Sequence, residues 1–104
     1  MKPEECKTFE DAVDCIQLRL KELLISKHKD YGRGNIQAFG EYGVLVRATD
    51  KILRLQNLLK PSGDESIPFN ESVEDTWRDL ANYAIIALML RANLFELPLD
   101  ESDT

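Results

Sequence analysis

The chain has 104 residues, 43% hydrophobic and 31% charged, which gives it enough apolar material for one core and makes wholesale disorder a poor description. A formal net charge of -6 and a pI of about 4.7 set the overall field against the phosphates of a nucleic-acid polymer, while leaving room for a small anion at a local basic site. No apolar run approaches the roughly 20 residues of a membrane span, and the opening MKPEECKTFEDAVD lacks the apolar stretch of a secretory signal, so a cytoplasmic protein with no membrane partner is expected.

The first predicted helix starts at Thr8, whose hydroxyl can cap it, with Glu10 and Asp11 placing negative charge in the first turn. Phe9, Val13, Ile16, Leu20 and Leu23 recur at helical spacing and form a packing stripe. Lys27, His28 and Lys29 suit the carboxyl end, and Gly32 or Gly34 can take the positive φ that closes it. Were Cys6 and Cys15 on one helix, about 13 Å of rise would separate them, too far for a disulfide. Reduced thiols without a redox role are the expectation.

Between this helix and the next lies KHKDYGRGN, Lys27 to Asn35. Its glycines could expose backbone amides to a phosphate among the surrounding cations, Tyr31 could stack on a base and Asn35 could hydrogen-bond it. A helix end followed by a polar loop explains the same composition.

The second helix is predicted from Tyr42 or Gly43 to just before Pro61-Ser62-Gly63. Leu45, Ala48, Ile52, Leu55 and Leu59 make its apolar stripe. One residue earlier runs Val44, Arg47, Lys51, Arg54 and Leu58, three cations between apolar ends, about 100° round the helix. The residues from Pro61 to Asn70 read as a mobile loop.

The third helix is predicted from Ser72, with Ser72-Val73-Glu74-Asp75 as a capping-box variant. Beyond Leu80 its apolar residues cover almost the whole circumference, as in a central helix or one buried between subunits. The acidic tail from Leu97 is expected to be loose. The whole reads as one all-α domain, an antiparallel bundle of three main helices completed by homo-oligomerisation.

Asp75, Asp79 and Asn82 stack on one face of the third helix. In an antiparallel hairpin, residues at equal height have numbers of constant sum, and this puts Arg54 level with Asp75, Lys51 with Asp79 and Arg47 with Asn82. Two explanations fit: an ion-pair ladder that fixes register, or carboxylates holding a hard cation while the basic residues face the phosphates it bridges. Asp79 is the more telling acid, because it lies a full turn inside the helix, where Asp has poor propensity.

DYGRGN, GVLVRATDKILRLQNLL and ESVEDTWRDLANYAIIAL, taken in order, resemble the motifs of the nucleotide-modification-associated domain 1 family, which is related to the all-α, MazG-like nucleoside triphosphate pyrophosphatases. The resemblance covers about Lys27 to Leu90. It implies an oligomeric helical bundle in which acidic side chains bind Mg2+ and the metal holds a nucleoside triphosphate for cleavage between its α and β phosphates. Carried onto this chain, it makes Asp75 and Asp79 catalytic, and Asp75, Asp79 and Asp50 the metal-binding acids. Asp30, Tyr31, Asn35, Arg47, Lys51 and Arg54 become substrate-binding positions, and the reading of the basic loop and the polar stripe adds Lys29 and Asn82 to that set. MazG-like enzymes pair Glu-x-x-Glu on one helix with Glu-x-x-Asp on the next, whereas here the second helix offers only Asp50 and the third spaces its acids at four. The alternatives are therefore a noncatalytic module that senses or sequesters a nucleotide, and a helical interaction protein whose polar stripes only set register.

Overall fold

A computed structural model describes residues 2–61 and 71–100, with the side chains of Glu71 and Ser72 outside the description. It is all-α, with three helices α1 (Phe9–Tyr31), α2 (Gly34–Leu58) and α3 (Glu71–Arg91), preceded by a short 3-10 turn at Pro3–Glu5, and no strand among the described residues. Two compact units divide the chain, Met1–Gly32 and Arg33–Thr104. The expected loop at 61–70 lies, from residue 62, outside the described residues, as do the Ser72 side chain of the expected capping box and the last four residues of the tail.

In the first unit, Thr8 is the N-cap of α1, and its hydroxyl accepts a hydrogen bond from the Asp11 amide at 3.0 Å. Asp11 reaches back to accept from the Lys7 amide at 3.2 Å, a reciprocal pair like a capping box but with the returning bond one residue before the N-cap. At the far end Gly32 (φ 68) donates its N–H to the His28 carbonyl, closing the helix where its sequence implies. The buried residue of α1 is Cys15; on the expected packing stripe Phe9, Val13 and Ile16 are exposed. Cys6 is not on α1: it ends the 3-10 turn, so the helical spacing argument does not govern its distance from Cys15. Neither cysteine is in a disulfide, and burial together with the neighbouring Cys15 raises the pKa of the Cys6 thiol above its ordinary value.

The second unit is an α2–α3 hairpin. The sequence places the start of α2 at Tyr42 or Gly43, but the helix begins at Gly34 and is kinked at Gly40 (φ 63, ψ -157). Arg33 precedes it without a side-chain cap, which is why capping residues do not announce this start. The expected boundary falls two or three residues past the kink. Gly43, one turn on, is held by space: a Cβ there would come within 2.5 Å of the Phe39 Cβ. The Gly40 conformation belongs to a region that only glycine occupies readily, so Gly40→Ala is expected to destabilise the hairpin by about 1–3 kcal/mol, read as a lower urea midpoint in Trp77 fluorescence.

From the kink α2 runs to Leu58, and Val44 and Leu55 are buried from its side. Thr76, Asn82 and Ile86 are the buried residues of α3. Each fully buried aliphatic side chain contributes about 1.5–3 kcal/mol, so a seam this narrow holds the pair with modest strength. After Arg91 the chain turns through Asn93 (φ 58); the Leu94 amide donates to the Met89 carbonyl at 2.8 Å and the Asn93 amide to Leu90 at 3.2 Å. This Schellman turn, with Asn where glycine is commoner, ends α3 and buries Phe95. Arg33 donates to the Glu96 carbonyl, tying the turn to the start of α2. No helix among the described residues is long and apolar enough to cross a membrane.

Candidate functional site

The site is built where α2 and α3 meet. The antiparallel register levels three pairs, and for the middle one, Lys51 with Asp79, the Lys51 Nζ lies 3.1 Å from the Asp79 Oδ2. The two side chains are 28% and 19% exposed, so the pair is neither a solvated surface bridge nor fully dry. Its Coulomb attraction is weakly screened, and its desolvation cost is partial. One turn along α3, Asn82 is 5% exposed, the most buried of the residues assigned to the site. Across from it in register stands Arg47, half-buried on α2.

The other expected rung is replaced. Asp75, level with Arg54, is bound instead by Arg78 on its own helix, at 3.0 Å, and Arg78 also holds Glu74 at 3.1 Å. A partner three or four residues away on one helix costs less ordering than one across a hairpin, and Asp75 and Arg54 are both exposed, so little desolvation favours the longer reach. The spacing Glu74-x-x-x-Arg78 carried this signal in the sequence. Thr76 is the second residue that sequence reasoning missed: it is 3% exposed, between the two acids in sequence but on another side of α3.

Asp50 is exposed on α2, one residue from Lys51 and hence about 100° round the helix from the pair. Among the described residues no three His, Cys, Asp or Glu side chains gather where they could hold one metal ion. Asn35 is exposed in the first turn of α2. Lys29, Asp30 and Tyr31 belong to the first unit, exposed in the last turn of α1.

Chemically, then, the second unit offers a half-buried ammonium–carboxylate pair, a buried amide one turn along, and two guanidinium groups two turns apart on α2, one on either side of Lys51. Guanidinium and ammonium groups at this density recognise phosphate or carboxylate oxygens. No curated protein and no solved structure matches the chain. The family model described as nucleotide modification associated domain 1 matches residues 27–90, a span that covers the carboxyl end of α1, all of α2, and α3 short of its last residue, and the protein therefore belongs to that family.

Proposed function

We propose that the α2–α3 hairpin binds a nucleoside or deoxynucleoside triphosphate, with the phosphates against Arg47, Lys51 and Arg54, and hydrolyses it to a monophosphate and pyrophosphate. The observation that carries this reading is the half-buried Lys51–Asp79 pair, which puts a carboxylate a full turn inside α3 against a cation of the basic stripe. Resemblance to the MazG-like pyrophosphatases supplies the reaction: water adds to the α phosphorus, the bond to the oxygen bridging to the β phosphorus breaks, and pyrophosphate leaves.

The residues fit magnesium in one manner. With no cluster of three ligating side chains among those described, the ion would be shared between Asp79, with Asp75 one turn away, and the oxygens of substrate and water, an arrangement magnesium commonly adopts. When bound, it would neutralise phosphate charge and lower the pKa of a coordinated water. The protein's own part is positional. Lys51 orients the Asp79 carboxylate and adds positive charge beside the phosphates, Arg47 and Arg54 fix the polyphosphate, and the buried Asn82 amide offers a directed donor and acceptor at the same level.

A noncatalytic binding module is the second reading, favoured by the capture of Asp75 by Arg78. Incubation with a panel of triphosphates and magnesium, followed by phosphorus NMR, decides between them. The expected result is a monophosphate and pyrophosphate from at least one triphosphate, lost in Asp79→Asn. Binding by calorimetry in chelator, with no turnover after magnesium is restored, leaves the second reading standing and removes the first.

A further inference from the structure

Cys6 and Cys15 are nine positions apart in sequence, yet the fold brings their thiols together. The Asp11 carboxylate accepts from the Lys7 amide at 3.2 Å, which holds Lys7 level with the first turn of α1 and turns the preceding chain back alongside the helix. One more extended residue advances about 3.3 Å, roughly two residues of helical rise, and so delivers Cys6 towards Cys15. Cys15 stands four residues beyond Asp11 on the same face, with its side chain tilted towards the amino end of the helix. There the two thiols are hydrogen-bonded to each other.

The two sulfurs differ in access. Cys15 is 4% exposed and is the buried residue of α1, whereas Cys6 is half-buried at the end of a 3-10 turn in which no residue is buried. Closing a disulfide draws two sulfurs to about 2.05 Å, and here the adjustment falls on a short surface turn rather than on a packed core. That turn resists little: the Cys6 amide donates to the Pro3 carbonyl at 3.2 Å and the Cys6 Sγ to the Lys2 carbonyl at 3.6 Å, both long contacts.

We infer that Cys6 and Cys15 form a thiol–disulfide exchange site, closed by a low-molecular-weight disulfide of the glutathione class. The Cys6 thiolate attacks one sulfur of that disulfide; the bond between its sulfurs breaks, one thiolate leaves, and Cys6 keeps the other half as a mixed disulfide. The Cys15 thiolate then attacks the Cys6 sulfur and expels the second thiolate. Two protein thiols are oxidised, the small disulfide is reduced to two thiols, and the cysteine protons end on the thiolates released. Exposure assigns the order, because Cys6 is the sulfur that a solute reaches first. Burial, the Cys15 thiol and the Asp11 carboxylate all favour the protonated form of Cys6, so the first attack is slow at neutral pH. The product staples the segment before α1 to the helix. Both cysteines precede residue 27, outside the span matched to the family, and the exchange stands independently of the hairpin site.

Trypsin separates the partners, because cleavage after Lys7 and Arg19 puts Cys6 and Cys15 on different peptides. The reduced full chain is equilibrated with mixtures of oxidised and reduced glutathione, the remaining thiols are alkylated, and the digest is read by mass spectrometry. The expected product is one disulfide-linked pair of peptides, in a yield independent of protein concentration, as an intrachain bond requires. The same titration in concentrated urea gives the baseline: thiols already placed together should make the closure constant of the folded chain larger by about tenfold or more. Asp11→Ala releases Lys7 and should lower that constant towards the urea value, with helical circular dichroism retained. Cys15→Ser should stop at glutathione on Cys6, while in Cys6→Ser the buried Cys15 should stay unmodified until urea is added. A constant in the folded chain no larger than in urea, or glutathione held on the wild-type cysteines with no linked pair, overturns the inference.

Discussion

A nucleoside triphosphate at a hundred times its dissociation constant should raise the melting temperature of the hairpin by roughly 10 °C, because binding at that excess adds about 2.7 kcal/mol and a domain of this size gains several degrees per kcal/mol. Trp77, the only tryptophan, stands on α3 and reports the relevant unit directly. Three contrasts give the result its meaning. Lys51→Met should remove most of the shift, since it withdraws the half-buried cation and leaves Asp79 to repel phosphate oxygens. Arg54→Met should lessen it, because an exposed guanidinium still contributes attraction to a polyanion. Added salt should shrink the wild-type shift too, since screened charges carry the binding. A screen in which no nucleotide moves the transition, with or without magnesium, would leave the polar stripes as devices of helix register and sink the proposed function.

Where the fold was legible, a strong local signal agreed with the tertiary structure. Thr8 caps α1 as read, Gly32 ends it, and α2 stops before Pro61. The level pairing of Lys51 with Asp79 was also readable, because equal rise in two antiparallel helices needs only the numbering and one correct face. What failed did so for identifiable reasons. The predicted second helix starts only at Tyr42 or Gly43, yet glycine at a single positive-φ position lets helix continue on both sides of a kink at Gly40, so residues 34–39 are helical. Asp75 turned to Arg78 because propensity and register say nothing about competition from the same helix. The periodicity of Leu45, Ile52 and Leu59 identified a face that wants cover; it could not say whether the cover lies within one chain.

Replacing both members of the central pair separates its two possible duties. Either truncation alone, Asp79→Ala or Lys51→Ala, strands a charge that is only partly solvated, and each should destabilise the hairpin by about 1–3 kcal/mol, between the values for exposed and fully buried pairs. The double variant Lys51→Met, Asp79→Leu removes both charges and fills their space with apolar atoms beside Leu80. Its stability should return to within about 1 kcal/mol of wild type or exceed it, because the desolvation cost of the pair disappears along with its attraction. If register were the pair's whole purpose, such a protein would lose nothing that nucleotides can report. The proposed site demands the opposite: a hairpin as stable as the original in urea, whose melting transition no triphosphate moves and which yields no monophosphate. Full retention of the nucleotide effect in this stable double variant would place any binding site elsewhere and end the case for Lys51 and Asp79.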